Sequence, residues 1–370
     1  MSTTFLFAGG GTGGHLFPGL AISEQLSAQC GDAGIKAVFA CSTRPLDTEI
    51  LRAQSVEFHP ISAEPFGLSP RRFLKFAMSW GGAVRASRDL IRAQLKSGPV
   101  HVVAMGGFVA APFAQAARAE NIPVTLVNLD AVPGRANRWI AKRAAAIFTS
   151  AEVNLPGWTV VPPIVRKQAT PPGPPALCRE RLKLDPHHPT LLVTGASQGA
   201  KSINDFLIAM LERSRDVFLA HAWQVIHQTG KGEADRVRAA YRAAEVPALV
   251  TPFLDDMGAA WGAADLAVSR SGAGSVAEAW SSNVPSIFLP YPYHKDEHQR
   301  INALPLERCG ACIIAKDLID AGPNVDTIGP RLTDLLAHAD KRAAMRSAFT
   351  ALGPADGAAR IARSLLAPSR

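Results

Sequence analysis

Residues 269–278 read Ser-Arg-Ser-Gly-Ala-Gly-Ser-Val-Ala-Glu, and this segment decides the fold. It follows an apolar run, 266–268, that is typical of the end of a buried strand. The small residues form a turn whose backbone can approach a ligand closely, and a helix is expected to begin near Ser275. Free backbone N–H groups at such a helix start suit a phosphate or diphosphate. The segment therefore predicts a strand, a glycine turn and a helix around an anionic group.

Glu278, at the end of this segment, admits two interpretations. An acid about one turn into a helix usually complements the helix dipole or takes part in capping. A carboxylate at this position also has the reach to pass the phosphates and accept hydrogen bonds from the two hydroxyls of a ribose. By itself the residue favours the first interpretation and allows the second.

A second glycine turn lies near the amino terminus. A buried strand is predicted over residues 4–8, and Gly-Gly-Gly-Thr-Gly-Gly-His follows at 9–15. The glycines match the spacing G-x-G-x-x-G, which dinucleotide-binding proteins combine with an acid at the end of the second strand. The second strand predicted here, 36–41, is followed by Ser-Thr-Arg. A nicotinamide cofactor is therefore disfavoured, and the turn better suits another phosphate or a substrate.

His15 closes this turn at the start of a helix. A lone histidine is more often structural, but this one faces the strand ends where ligands bind in α/β sheets. Its ordinary pKa suits a general base near neutral pH. We therefore treat His15 as a candidate catalytic residue.

The strand, turn and helix pattern recurs along the chain. Further strands are predicted at 102–105, 124–127, 146–149, 190–194, 223–227 and 249–253. A third turn of small residues, 195–200, follows one of them. Strands that alternate with helical segments predict parallel sheets with helices on both faces. The predicted fold class is α/β, with two Rossmann-like domains facing across a cleft.

Proline usage suggests where the domains divide. Eight of the 28 prolines lie between residues 162 and 189, a stretch expected to be stiff and poor in regular structure. We expect an N-terminal domain over 1–163, a proline-rich connection over 164–189 and a C-terminal domain over 190–345. A C-terminal helix over 346–370 can return to the N-terminal domain.

The net charge of +8 is concentrated in one segment. Residues 66–96 contain seven basic residues and one acid, interleaved with phenylalanine, leucine, methionine and tryptophan. Such a segment is either a solvated helix face over a core face or an amphipathic surface for anionic lipid. A nucleic-acid partner is not expected, because no recognised nucleic-acid motif accompanies the charge.

The composition favours a cytoplasmic protein. The five cysteines are few and odd in number, and no signal peptide is recognised. The nearest candidate for a membrane span, 100–117, has no formal charge but contains a Gly-Gly pair and a proline, so a strand, turn and helix explain it better. If this protein meets a membrane, we expect it to lie on the surface.

Taken together, these segments resemble the MurG family, the bacterial glycosyltransferases of peptidoglycan synthesis. The similarity extends over nearly the whole chain, and the joint order of its motifs is highly specific. The densest matches are residues 10–21, 105–109, 137–141, 195–200, 270–278, 298–299 and 302–306.

The resemblance implies two Rossmann-like domains of the GT-B architecture. It implies transfer of N-acetylglucosamine from UDP-N-acetylglucosamine to the 4-hydroxyl of N-acetylmuramyl-pentapeptide on undecaprenyl diphosphate, with inversion at the anomeric carbon. It also implies a peripheral position on the cytoplasmic side of the cell inner membrane, docked through the 66–96 segment on an anionic membrane surface. No cofactor is implied.

The resemblance also implies roles for individual residues. Glu278 would bind the ribose, the 197–198 and 271–272 turns the diphosphate, and the 298–299 pair the donor sugar. The implied UDP-N-acetylglucosamine ligands are Thr12, Gly13, Gly14, Arg166, Ser197, Gln198, Ser271, Gly272, Glu278, His298 and Gln299. The implied acceptor contacts are Phe108, Asn128 and Asn137. His15 is the expected general base, with Asp130 as the other candidate, and no metal is expected.

Some positions depart from the family pattern. The family usually has His-Glu-Gln-Asn where this chain has Val-Asn-Leu-Asp at 127–130, and Tyr where it has Phe108. Both lie on the acceptor side. This leaves a second hypothesis open, a nucleotide-sugar transferase or epimerase of the same fold that acts on a different acceptor. A non-catalytic nucleotide-sugar binding protein is disfavoured by the retained glycine–histidine turn.

Overall fold

The computed structural model describes residues 2–11, 13–31, 34–67, 69–153, 155–195, 199–293 and 296–367. The chain forms two compact units. Unit 1 comprises residues 1–166 and 356–370, and unit 2 comprises residues 167–355. Each unit is built on its own parallel β-sheet.

The sheet of unit 1 has seven strands in the order β3-β2-β1-β4-β5-β6-β7, and all their pairings are parallel. These are β1 Thr3–Gly9, β2 Ile35–Ser42, β3 Glu57–Ile61, β4 Val100–Gly106, β5 Val124–Asn128, β6 Ala146–Thr149 and β7 Thr159–Val160. The helices are α1 Gly13–Cys30, α2 Pro45–Ala53, α3 Pro70–Leu95, α4 Gly107–Ala119, α5 Arg135–Ala141 and α14 Gly357–Leu366.

Successive residues of β1 serve two different cores, because side chains alternate across a strand. Leu6 belongs to the core beneath α3 and α4, whereas Phe5 and Phe7 belong to the core beneath α1 and α14. Helix α14, from the C-terminal segment, packs against α1 and completes the second core. Both faces of the sheet are therefore covered, which requires the apolar strands that the sequence shows.

The sheet of unit 2 has six strands in the order β10-β9-β8-β11-β12-β13, again paired in parallel. These are β8 Thr190–Thr194, β9 Gln224–Gln228, β10 Ala248–Thr251, β11 Leu266–Ser269, β12 Ser286–Phe288 and β13 Cys312–Ile314. The helices are α6 Pro175–Arg181, α7 Lys201–Ala220, α8 Ala234–Ala243, α9 Met257–Ala263, α10 Ala273–Ser282, α11 His298–Arg308, α12 Ala321–Ala337 and α13 Ala339–Ala348. Short 3-10 helices occupy Lys167–Ala169 and Phe349–Leu352.

In both sheets the strand order reverses beside the first strand of the unit. β1 lies between β2 and β4, and β8 lies between β9 and β11. Loops that leave the carboxyl ends of strands on either side of such a reversal diverge and leave a crevice where ligands bind in α/β sheets. The glycine turns after β1, β4 and β11 lie at these two positions.

The proline-rich stretch is more ordered than its composition predicts. Within the predicted connection, 164–189, helix α6 begins at Pro175 and packs against α9. Proline is well tolerated in the first turn of a helix, where its missing N–H has no partner to lose. Arg179 in α6 is buried and forms an ion pair with Asp265 at 2.7 Å between Nη2 and Oδ2. Residues 167–189 are therefore a packed part of unit 2.

Candidate active site

Residues 266–278 form the predicted strand, turn and helix. β11 ends at Ser269 and α10 begins at Ala273, two residues earlier than expected. Gly272 caps the helix with φ −62°, and an added Cβ at this residue would meet no described atom within 4 Å. Ser271 is buried, and its hydroxyl has no hydrogen-bond partner among the residues described. The turn thus leaves its backbone accessible at the start of α10, a helix of ten residues.

A buried ion pair supports this turn from below. The Arg270 guanidinium lies 2.7 Å from Asp317, measured between Nη1 and Oδ2, and both side chains are buried. Arg270 also donates to the hydroxyl of Ser202 at 2.9 Å and to the carbonyl of Leu289 at 2.8 Å. The pair therefore ties the turn after β11 to the start of α7 and to the loop after β12. Neither charged residue was predicted from the sequence to be part of the site.

Asp317 is held as a carboxylate despite its burial. Burial alone raises the pKa of this group, but hydrogen bonds from Ser202 and Asn324 outweigh it, and the net pKa lies below the ordinary value. The Ser202 hydroxyl donates at 2.6 Å and the Asn324 amide at 2.9 Å. A buried charge with this many partners stabilises one arrangement of the surrounding loops.

Glu278 lies in the second turn of α10, and its side chain is half-buried. One carboxylate oxygen accepts a hydrogen bond from the indole Nε1 of Trp261 at 2.9 Å, and Trp261 is fully buried. The helix-dipole interpretation of Glu278 is less favoured, because the attraction between an acid and the helix dipole falls off beyond the first turn. The tryptophan orients the carboxylate, and this partner was not predicted from the sequence.

His298 and Gln299 begin α11, directly after the loop that follows β12. His298 Nδ1 lies 2.8 Å from Asp296 Oδ1, and this hydrogen bond lowers the pKa of Asp296. Gln299 Oε1 accepts from the backbone N–H of Tyr291 at 2.9 Å. The structure therefore brings the 271–272 turn, Glu278 and this pair to the carboxyl edge of the unit 2 sheet. The predicted ligands Ser197 and Gln198 lie outside the described residues.

In unit 1 the glycine turn after β1 is held by a buried carboxylate. Asp47 Oδ2 accepts from the backbone N–H of Gly11 and from the hydroxyl of Ser42, each at 2.6 Å. Its Oδ1 is buried and has no hydrogen-bond partner in the part of the chain that the structure describes. The acid that is missing at the end of β2 is thus supplied five residues later, from the first turn of α2. Asp47 was not predicted from the sequence, because it lies beyond the end of the strand, where the acid of a dinucleotide site is expected.

His15 lies against the second glycine turn of unit 1, at the start of α4. A Cβ added at Gly107 would lie 3.3 Å from His15 Nδ1 and 2.6 Å from the carbonyl oxygen of Gly10. A Cβ added at Gly106 would lie 2.9 Å from Asn137 Oδ1. Both glycines have positive φ, 91° at Gly106 and 77° at Gly107, so the close approach depends on their lack of a side chain. The structure therefore brings together the predicted residues His15 and Asn137.

The electrostatic surroundings of His15 keep its imidazole neutral. Burial lowers the pKa of His15, and this effect outweighs the attraction of Asp130, which raises it. A neutral imidazole at physiological pH is able to accept a proton. The two residues predicted as candidate bases thus interact in the structure.

Asn128 and Asn137 form a hydrogen-bonded pair. Asn137 Nδ2 donates to Asn128 Oδ1 at 2.9 Å, while Asn128 Nδ2 donates to the carbonyl of Asp130 at 2.7 Å and to the Thr149 hydroxyl at 3.0 Å. Asn128 is buried, so its amide serves as an internal brace for the loop that carries Asp130. Asn137 is half-buried and lies nearer the surface.

Phe108 packs on the first glycine turn. A Cβ added at Gly11 would come within 2.6 Å of Phe108 Cε1, and the Arg44 guanidinium lies 5.2 Å from the centre of the same ring. Arg44 also donates to the carbonyl of Gly11 at 2.7 Å. Arg166 stacks over the ring of Phe17 at 4.0 Å, within unit 1.

The remaining predicted ligands of this turn are only partly described. Gly13 and Gly14 form the first residues of α1, and Thr12 lies outside the described residues.

The 66–96 segment exposes apolar side chains on α3 and the loop before it. Phe66, Phe73, Leu74 and Met78 are 45–75% exposed. Edge-to-face and tilted ring contacts connect Phe66, Phe76, Trp80 and Trp139. We give the name aromatic cluster to seven residues: Phe66, Phe73, Leu74, Phe76, Met78, Trp80 and Trp139. Leu68 lies outside the described residues, and none of the described helices is both long enough and apolar enough to span a membrane.

Comparisons with known proteins place these features in a family. Residues 5–149 match the glycosyltransferase family 28 N-terminal domain, and residues 190–361 match the glycosyltransferase family 28 C-terminal domain. The chain resembles the crystal structure of Acinetobacter baumannii MurG with a TM-score of 0.73, at 24% identity and with 98% of each chain covered. The predicted α/β fold class of two Rossmann-like domains in the GT-B architecture is confirmed.

Two relatives carry the same name, UDP-N-acetylglucosamine–N-acetylmuramyl-(pentapeptide) pyrophosphoryl-undecaprenol N-acetylglucosamine transferase. The protein of Acidithiobacillus ferrooxidans is 34% identical, with 90% of each chain covered, and that of Chlorobaculum tepidum is 32% identical, with 99% of each chain covered. The resemblance found in the sequence is thereby confirmed, and the chain belongs to the MurG family of family 28 glycosyltransferases.

Proposed function

We propose that this protein transfers N-acetylglucosamine from UDP-N-acetylglucosamine to undecaprenyl-diphosphate-linked N-acetylmuramyl-pentapeptide, the step that its relatives' shared name describes. The observation that carries the proposal is the 34% identity over 344 residues with a transferase of that name. Its site features support it: an open helix-start turn in unit 2 and a neutral histidine beside two glycine turns in unit 1.

The donor is assigned to unit 2. The turn at Ser271 and Gly272 offers backbone N–H groups to the diphosphate, because a helix start carries free donors and partial positive charge. The Glu278 carboxylate, oriented by Trp261, accepts from the ribose hydroxyls. His298 and Gln299 contact the sugar. Arg166, which lies in unit 1, is proposed as a further donor ligand.

The acceptor is assigned to unit 1, at the turns around His15. His15 removes the proton from the 4-hydroxyl as the new bond forms between that oxygen and the anomeric carbon. The bond between the anomeric carbon and the diphosphate oxygen breaks, and UDP leaves with its electron pair. The developing negative charge is stabilised by the start of α10 and by Arg166. Asp130 raises the proton affinity of His15 as the proton arrives.

The membrane position is part of the proposal. The aromatic cluster exposes several large apolar side chains next to the basic residues of α3, which is the composition of an interfacial surface. We propose that this surface docks the protein on the cytoplasmic side of the cell inner membrane, where a lipid-linked acceptor resides.

A transfer assay tests the function. Purified protein receives radiolabelled UDP-N-acetylglucosamine with and without the detergent-solubilised muramyl-pentapeptide lipid. We expect label in the lipid, a loss of about 10²–10⁴-fold in His15→Ala because a general base is removed, and a raised KM for the donor in Glu278→Ala. His221→Ala and Glu180→Ala, at exposed positions of unit 2, are matched controls that should retain activity.

A second candidate is favoured by the 127–130 segment, which departs from the usual family residues. Val127 is fully buried and Asn128 is bonded internally, so this loop presents a different set of side chains to an acceptor. If the protein binds UDP-N-acetylglucosamine but leaves the lipid unlabelled, the donor assignment stands and a different acceptor replaces the proposed one.

A further inference from the structure

A single peptide group lies between a buried carboxylate and the candidate base in unit 1. This peptide joins Gly10 to Gly11, so the Gly10 carbonyl and the Gly11 N–H belong to one planar trans unit and point in opposite directions. Asp47 Oδ2 accepts from the Gly11 N–H at 2.6 Å. On the other side, the imidazole of His15 forms a hydrogen bond with the backbone of Gly10. The carboxylate and the imidazole therefore meet opposite ends of the same peptide dipole.

The geometry at Gly107 indicates which imidazole nitrogen faces this peptide. A Cβ added at Gly107 would lie 2.6 Å from the Gly10 carbonyl oxygen and 3.3 Å from His15 Nδ1, and Nδ1 is nearer to this position than Nε2. Nδ1 is therefore on the side of the carbonyl. In a neutral imidazole one nitrogen donates and the other accepts, so a hydrogen on Nδ1 leaves Nε2 as the acceptor of a proton.

Asp47 has more charge than the turn requires. Its side chain is completely buried, and its Oδ2 also accepts from the Ser42 hydroxyl at 2.6 Å and from the Ser42 backbone N–H at 3.2 Å. Its Oδ1 has no hydrogen-bond partner among the residues described. A buried charge with one oxygen unpartnered destabilises the folded chain. A neutral hydroxyl acceptor would hold the turn with less desolvation, so the charge itself indicates a role beyond the fold.

The charged groups around His15 act in opposite directions. Burial has the largest effect on the pKa of His15 and lowers it, whereas Asp130, the hydrogen bond with Gly10 and Asp47 raise it. Arg44 is bonded one peptide further along, where its guanidinium donates to the Gly11 carbonyl at 2.7 Å. Asp47 thus favours a proton on His15 by its charge, and the peptide connects the two groups.

We propose that Asp47 is a positioning residue for the transfer reaction, which acts through this peptide to hold His15 in the tautomer with its hydrogen on Nδ1 and to stabilise the imidazolium that forms. The proposal rests on the proposed function, because it takes His15 as the base. In hydrolytic triads a carboxylate has the same effect on a histidine by direct contact. Here the carboxylate polarises the N–H of the peptide, and the carbonyl at its other end becomes a stronger acceptor for Nδ1–H.

The proton transfer is then assigned to one nitrogen. Nε2 of His15 takes the proton of the acceptor 4-hydroxyl as that oxygen bonds to the anomeric carbon, and UDP leaves with the electron pair of the bond that breaks. The hydrogen on Nδ1 stays on the imidazole. Asp47 neither gives nor takes a proton, and its negative charge attracts the imidazolium.

The tautomer of His15 is measured first, in the full-length protein without substrate. Proton–nitrogen correlation spectra of protein labelled with ¹⁵N-histidine show which ring nitrogen carries the hydrogen, and the signal that disappears in His15→Gln belongs to His15. At a pH above the pKa of His15 we expect the hydrogen on Nδ1. A hydrogen on Nε2 would overturn the proposal, and this result needs no variant of Asp47 that must fold.

Asp47→Asn then removes the charge and keeps an oxygen that can accept from Gly11. Glu49→Gln is the matched control, because it removes the same charge from an exposed position of α2. Titration of the His15 signal should show a lower pKa in Asp47→Asn than in the wild type, since a negative charge that favours the imidazolium is gone. The control should titrate like the wild type.

Kinetics on the same preparations separate positioning from structural support. In Asp47→Asn the kcat should fall about tenfold with the KM of both substrates unchanged, because the lost interaction strengthens only as the proton arrives. The acid limb of the kcat profile should move to lower pH, together with the pKa of His15. Glu49→Gln should keep the wild-type kcat and profile.

Two results with Asp47→Asn would reduce this residue to a support of the turn. One is a pKa of His15 and a kcat equal to those of the wild type. The other is a raised KM for the acceptor with the pKa of His15 unchanged, which is the effect of a displaced turn. Failure of the proposed function would appear only in the transfer assay, because the spectra are recorded without substrate.

Discussion

Two of the described glycine turns, the one after β1 and the one after β11, are built in opposite ways. In unit 1, the glycines after β1 are required by the fold, because Gly11 has φ 91° and a Cβ there would collide with Phe108. In unit 2, Gly272 has an ordinary φ of −62° and open space beside it among the described residues. Glycine therefore has a packing role in the first turn, and in the second it leaves room for something outside the protein.

The supports of the two turns differ as well. The first is held by a hydrogen bond from the backbone N–H of Gly11 to Asp47. The second is held from below by the Arg270–Asp317 pair, which joins three loops. A similar sequence pattern therefore serves the fold in one unit and is suited to a ligand in the other.

The largest effect is expected from breaking the buried pair. Asp317→Ala leaves the Arg270 guanidinium buried without its counter-charge, so we expect a loss of about 3–5 kcal/mol in the free energy of unfolding. Asp326→Ala removes a carboxylate of the same chemistry from an ion pair with Arg213 that is 63% exposed on both sides, and should cost less than about 1 kcal/mol. Urea unfolding followed by fluorescence measures both, and equal losses would contradict the bracing role of the pair.

The next effect concerns the turn after β1. Gly11→Ala forces a residue with a side chain into a left-handed conformation and pushes it against Phe108, and we expect a loss of about 1–3 kcal/mol. Thermal unfolding of the variant beside the wild type measures this loss. A variant as stable as the wild type would show that the glycine there is not required by the fold.

Gly272→Ala is the matched substitution in the other unit. Its stability should stay within about 0.5 kcal/mol of the wild type, because the new methyl group meets no described atom. The KM for UDP-N-acetylglucosamine should rise roughly tenfold, equivalent to about 1.4 kcal/mol, because the methyl group enters the space assigned to the diphosphate. Steady-state kinetics decide the point, and an unchanged KM would remove the diphosphate from this turn.

The smallest effect near neutral pH is expected from His227, a structural histidine outside the candidate site. His227 is fully buried between Tyr241 and Asn204, at 3.0 Å from each, and burial lowers its pKa to about 3. The unfolded chain binds a proton at this residue below about 6.5, whereas the folded chain does not. The contribution of His227 to the free energy of unfolding is therefore fully present above pH 6.5 and falls as the pH is lowered toward 3.

A variant isolates this contribution. Burial also lowers the pKa of His101, to about 4, and this acts in the same direction. His227→Gln removes only the titration of His227 and leaves those of His101 and His15, so its unfolding midpoint should depend less steeply on pH between 6.5 and 3 than that of the wild type. Parallel curves for the two proteins would contradict the assignment.

The sequence predicted the described strands and glycine turns well, and it missed their supports. Apolar runs followed by glycine identify β1, β4, β8 and β11, because a strand buried on both faces has few alternatives. Strands β3, β7, β12 and β13 were not predicted, since only Ile61 of β3 is buried and the other three strands have two or three residues each. The helix in the proline-rich stretch was also missed.

For the candidate site, the sequence by itself determined the chemistry of the turns, the candidate base His15 and the candidate ribose ligand Glu278, through local spacing and resemblance to a family. Only the tertiary structure showed that Asp47 holds the turn after β1, that Asp317 holds Arg270 of the turn after β11, and that Trp261 orients the Glu278 carboxylate. Local patterns constrain neighbours along the chain, whereas these partners are separated from the groups they support by 17 to 47 residues. Such pairs depend on strand order and packing, which are properties of the folded chain.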